Sequence, residues 1–280
     1  MAQIGIGTNL RSYKQETIDQ LLEVIGKGIK MGYKFIDTED LINEKTQKIF
    51  QMLTRYKRSS LFISTRLYDY TPENDFILRI GSLKYIDLCN FGNPPITNSG
   101  MVFKTVCLKI WSSMILLKES KLVKHLGIIN FHYTQAKKFL ALCKSKELEL
   151  PTVAYLELHP LNMQEDLVKL YQDHKIHIVA FSPLGSNGNH IYSEHKVIDE
   201  IGRELGTKDF AQTIIATTMS RGISVVVKSL VPEHLESNLQ ASKFVEKVTE
   251  KHLELLAEIN MDSPFNNDTT NAIGASNRLQ

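Results

Sequence analysis

A chain of 280 residues with 42% hydrophobic and 23% charged residues has the composition of an ordinary globular protein, long enough for one large α/β barrel or two smaller domains. A formal charge of +2, with lysines scattered rather than clustered among aromatics, points away from a nucleic-acid or strongly anionic partner. Cys89, Cys107 and Cys143 are odd in number and widely spaced, which argues against a disulfide framework and against a zinc site.

The first residues, Met1-Ala2-Gln3-Ile4, carry neither a basic segment nor a long apolar run. Neither a signal peptide nor a membrane span is therefore expected, and a cytoplasmic chain is the default. Short β-branched runs then alternate with amphipathic stretches, at 3–8, 34–37, 61–65, 85–89, 125–129, 153–158, 176–181 and 224–228. That alternation is the signature of βαβ units around a parallel sheet.

The first intervening helix places Ile18, Leu21, Leu22, Ile25 and Ile29 on one face, and Gly32 supplies a left-handed stop before the second strand. Phe139, Leu140 and Cys143 repeat the scheme after the fifth strand, as do Leu167, Leu170 and Tyr171 after the sixth. A helix near 210–219 ends before Gly222. With no linker-like Pro/Gly/Ser segment, the expectation is a single (β/α)8 TIM barrel over 1–260, and a polar, mobile tail over 261–280. An open doubly wound sheet is disfavoured, because Gly5-Ile6-Gly7-Thr8 is no dinucleotide fingerprint.

The second run delivers Asp37 to its own C-terminal end, where a parallel barrel keeps its chemistry. Locally, Asp37 could equally cap the next helix. Glu157-Leu158-His159-Pro160 reads as a loop-fixing element whose ring bonds backbone, and Trp111 as a packing residue.

Several stretches together resemble the aldo-keto reductases. They are the first strand to Thr8, Gly32-Tyr33-Lys34-Phe35-Ile36-Asp37-Thr38, Leu61-Phe62-Ile63-Ser64-Thr65-Arg66-Leu67, Gly127-Ile128-Ile129-Asn130-Phe131, Glu157 to Pro160, Ala180-Phe181-Ser182-Pro183-Leu184-Gly185, and Val227-Lys228-Ser229 with Asn238. The resemblance implies NADPH-dependent carbonyl reduction by a Tyr, Lys, Asp and His tetrad at the barrel mouth. Asp37 stands at the aspartate position, while Ile42, Arg66 and Gly92 stand at those of tyrosine, lysine and histidine. Asp37 and Arg66 are thus remnant catalytic positions, and an ion pair holding two strands is the leading reading of them.

For NADP(H), the resemblance assigns Thr8, Asn130, Ser182, Leu184, Lys228, Ser229 and Asn238, with Tyr155 and Phe181 at positions of changed residue type and His234 where an arginine clamps the adenosine phosphate. Weak or partial cofactor binding follows, with Tyr155 filling the nicotinamide end. The chain also lacks the family's N-terminal base hairpin and joins Ser82-Leu83-Lys84 to Tyr85 with almost no loop, so the third helix should be short. The leading expectation is a degenerate homologue with impaired or lost carbonyl reduction, binding a small-molecule ligand or an unknown protein partner. The alternatives are an active NADPH-dependent aldehyde or ketone reductase with a rebuilt site, using Tyr68, Tyr70 or Tyr155 as acid, and a non-catalytic regulatory subunit. No metal site, nucleic acid or membrane is expected.

Overall fold

Side-chain alternation along each strand sorts the apolar residues of the strands into two cores. On the third strand, Ile63 and Leu67 join the layer under the helices, whereas Phe62, Ser64 and Arg66 turn into the lumen. The computed structural model describes residues 3–9, 15–186 and 191–265. Eight parallel strands close in sequence order: β1 (Ile4–Gly7), β2 (Phe35–Asp40), β3 (Phe62–Leu67), β4 (Ile86–Gly92), β5 (Val123–Ile129), β6 (Val153–Glu157), β7 (His177–Phe181) and β8 (Ser224–Val227). Pairing of β1 with β8 shuts the barrel. The fold is a single (β/α)8 barrel.

The surrounding helices are α1 (Gln15–Met31), α2 (Glu44–Leu53), α3 (Glu73–Ile80), α4 (Gly100–Glu119), α5 (Tyr133–Ser145), α6 (Glu165–Asp173), α7 (Lys196–Leu205), α8 (Phe210–Ser220), α9 (Pro232–Gln240) and α10 (Glu250–Glu258). The apolar stripe of α1 buries Ile18, Leu21 and Ile25, and Gly32 takes the left-handed backbone at φ +114° that stops the helix. By length and composition α4 could cross a membrane. Here its Phe103, Cys107, Ile110, Trp111, Met114 and Leu117 are buried against the barrel, which makes it a core helix. Trp111 donates its indole N–H to Glu149 O at 2.8 Å and meets Phe139 edge-on. The eight residues of α3 give way to a tight turn at Gly81–Leu83, and Arg58 then bonds both Tyr85 O and the Asp87 carboxylate. That guanidinium secures the near-loopless entry into β4.

The lumen is filled from below. Phe35, Leu88, Val153, Val179 and Val226 form an apolar plug, with Phe62 edge-on to Phe35 and stacked on His125. Gly5 makes room for it, since a Cβ there would stand 2.5 Å from the Phe35 ring. Burying one such aromatic contributes about 1.5–3 kcal/mol. Above this floor the lining turns polar, and the polar layer is the mouth.

The expected tail starts at Met261, and its first residues lie against the barrel. Met261 and Ser263 donate backbone N–H groups to Leu161 O, and Phe265 N–H donates to the Glu157 carboxylate at 2.8 Å. Residues 266–280 lie outside the described residues.

Candidate active site

The mouth is built on the β2–β3 seam, where Asp37 pairs in register with Ser64. Two side-chain rungs pin the seam: Thr38 Oγ1 donates to Ser64 O at 2.7 Å, and Thr65 Oγ1 to Glu39 O at 2.8 Å. Asp37 does not cap a helix. Asn43 caps α2, accepting from Lys45 N at 2.9 Å, which leaves the Asp37 carboxylate to the lumen. A buried ion pair between Glu39 and Lys45 straps the intervening loop, and Ile42 at its tip is 59% exposed.

Inside the mouth four polar groups form one network. Ser64 Oγ donates to Asp37 Oδ1 at 2.5 Å, and Tyr155 O–H donates to Ser64 Oγ at 3.1 Å. Arg66 closes it from above, with its terminal nitrogen 3.0 Å from Asp37 Oδ2. Burial opposes the Arg66 charge, but the Asp37 carboxylate and then the Tyr68 phenol outweigh it and hold the guanidinium protonated. Burial, followed by the Asp37 charge, pushes the Tyr155 phenol well above its ordinary range. Tyr155 therefore stays a neutral donor, wholly enclosed, and forms the floor of the mouth.

Tyr68 stands one strand repeat above Arg66, on the same face. The pairing of Arg66 with Asn90 and Leu67 with Phe91 carries it opposite Gly92. A Cβ on Gly92 would stand 2.6 Å from Tyr68 Cε1 and 2.8 Å from Cδ1. The phenol interacts electrostatically with the Arg66 guanidinium, and the residue remains 42% exposed. Tyr70 is exposed too, but its ring lies under Lys109 of α4, 5.5 Å from the ammonium.

The residues assigned to cofactor line the rim from β1 around to α9. Thr8 follows β1 and donates its N–H to Asp37 O, while Asn130 follows β5 and donates to Tyr155 O. Phe181 ends β7 beside the lumen cluster, Ser182 and Leu184 follow it, Lys228 and Ser229 follow β8, and Asn238 lies buried in α9. Asn130 and Ser182 both hold left-handed backbone, at φ +61° and +51°. Such backbone is costly off glycine and gathers at binding sites. Thr8 Oγ1 and Asn130 Oδ1 are buried with no hydrogen-bond partner among the described residues. A polar ligand across the mouth would satisfy them. Among the described residues no His, Cys, Asp and Glu group is arranged to hold a metal.

One motif differs from its sequence reading. The His159 ring bonds a side chain rather than backbone, with Nδ1 2.8 Å from Tyr192 Oη and Nε2 3.5 Å from Glu157 Oε1. The backbone pairing instead joins His159 to Asn162. Ser64, the hinge of the network, went unremarked in the sequence, although the two-residue strand period from Arg66 points to it.

Residues 3–260 match the Aldo/keto reductase family, and the chain belongs to it. It is 26% identical over 250 residues to the methylglyoxal reductase DkgA of Yersinia pestis, covering 87% of this chain and 84% of that one. It is 30% identical over 288 residues to aldo-keto reductase family 1 member D1 of Mus musculus, covering 92% and 87%. A crystal structure of an aldo-keto reductase complexed with NADPH superposes with a TM-score of 0.80 at 22% identity, over 94% of this chain and 85% of that one.

These findings correct the expectation of a degenerate homologue with lost turnover. Relatives matched over most of their length are named reductases. The physical reason is that a position without its side chain on one strand can be occupied from the next. The space above Gly92 is occupied from the neighbouring strand by the Tyr68 ring.

Proposed function

We propose that this protein is an NADP(H)-dependent reductase of small-molecule aldehydes or ketones, working in the cytoplasm at the C-terminal mouth of its barrel. The observation that carries this reading is the buried Tyr155–Ser64–Asp37–Arg66 network, which fixes one cation at the mouth above an apolar floor. Thr8 and Asn130, with their unpartnered buried oxygens, Ser182 and Leu184 would hold the cofactor's nicotinamide and pyrophosphate, with Phe181 offering its ring face. Lys228, Ser229 and Asn238 would hold the adenosine phosphate, where Lys228 supplies a point charge rather than a fork.

When bound, the reduced nicotinamide supplies a hydride to the carbonyl carbon. The chain's own task is to place the carbonyl, exclude water from below and manage the negative charge that develops on oxygen. Arg66 supplies a permanent positive charge, and Asp37 and Ser64 hold it in one orientation. An arginine does not shuttle protons near neutral pH, so the proton must come from another group.

Purified protein titrated with NADPH by fluorescence, then assayed against aldehydes and ketones, tests the reading. Saturable binding with carbonyl-dependent oxidation of NADPH is expected, and its absence across a broad panel would remove the proposal.

A further inference from the structure

We propose that Tyr68, with its ring seated over Gly92, donates the proton in carbonyl reduction. This rests on the reductase reading above and names the acid it lacks.

The three phenols near the mouth differ in what they can reach. Tyr155 is fully enclosed and already donates to Ser64. Tyr70 has its ring under the Lys109 ammonium of α4, 5.5 Å away. Tyr68 alone among these three is both open to solvent, at 42% exposure, and seated with its ring over Gly92 on the neighbouring strand. Its seat is set by the fold: Tyr68 continues the lumen-facing series Ser64, Arg66 on β3, and the missing side chain of Gly92 on β4 leaves the volume the ring occupies.

The step balances without further reagents. With the reduced nicotinamide bound, its hydride would form the new C–H bond and the C=O π pair would move to oxygen. That oxygen takes the proton from Tyr68 O–H, leaving a phenolate whose charge Arg66 offsets. Solvent then returns the proton to Tyr68, which its exposure permits. Arg66 acts here as a positioning residue and counter-charge, not as a relay.

The seat and the chemistry are tested separately. In the unloaded protein, Gly92→Ala should lower Tm in the wild-type background, because a Cβ at 2.6 Å displaces the ring, and should have no effect beside Tyr68→Ala. Equal effects in both backgrounds would show that the ring is not seated there and overturn the proposal. Tyr68→Phe keeps the ring and removes only the proton. It should leave NADPH affinity, read by fluorescence titration, within about twofold, and lower kcat by about 10²–10⁴-fold, the range for a positioned general acid. A wild-type enzyme that turns over while Tyr68→Phe retains its kcat overturns the Tyr68 assignment alone. A wild-type protein with no carbonyl-dependent turnover overturns this assignment together with the reductase reading.

Discussion

Arg66 and Asp37 meet across the β2–β3 seam at 3.0 Å, with side chains 12% and 3% exposed. The pair closes a buried polar network and fixes a cation at the mouth. Such a pair is weak evidence of net stability, because desolvating two charges offsets most of their attraction. Its sign shows when one partner is removed.

Arg66→Met should therefore destabilise the fold by about 3–5 kcal/mol, since it leaves the Asp37 charge buried without its cation. Removing both charges, in Asp37→Leu with Arg66→Met, should recover part of that loss. Urea unfolding of both variants checks this, and a double variant less stable than the single one would contradict it.

His132 makes stability pH-dependent at a helix start. Its Nδ1 accepts from Gln135 N while the Gln135 side chain accepts from His132 N, a reciprocal cap on α5. Burial, then Lys138, lowers its pKa below the ordinary 6.5. A depressed value in the folded state means the contribution is complete above the ordinary value and is lost as pH falls through the folded one. Tm should fall from neutral pH toward pH ~5, and His132→Asn, which caps without titrating, should flatten part of that fall.

Phe265 ties the segment after α10 to the mouth. Its ring stacks on His159 at 4.8 Å and closes over Gly185, while its N–H bonds Glu157. Phe265→Ala should cost about 1–2 kcal/mol, less than a fully buried ring would. Thermal unfolding measures it, and an unchanged Tm would show that the contact contributes nothing.

The barrel was legible because β-branched runs, amphipathic stretches and glycine stops are local signals: the Gly32 stop falls where the pattern placed it, while β2 runs on past Asp37 to Asp40. The site was legible only in part. Asp37 and Arg66 could be named from one strand each, but their contact, the Ser64 hinge and the Tyr68–Gly92 exchange depend on pairing between strands. A missing histidine reads as loss in one dimension and as room for a neighbour in three.

Where the proposed reading puts the adenosine phosphate, His234 lies beside Ser229, with Nδ1 3.3 Å from its hydroxyl. An imidazole offers no bidentate fork to a phosphate. NADPH should therefore be preferred over NADH only modestly, and His234→Arg should tighten NADPH by about tenfold, or 1.4 kcal/mol, while leaving NADH unchanged. Fluorescence titration with both cofactors decides it; equal gains for the two would place His234 away from the phosphate.

The most direct measurement is the carbonyl-dependent oxidation of NADPH by the wild-type protein, followed beside Tyr68→Phe under the same conditions. Turnover that collapses in Tyr68→Phe with cofactor affinity preserved is the predicted result. A wild-type protein that binds NADPH yet reduces no aldehyde or ketone would contradict it.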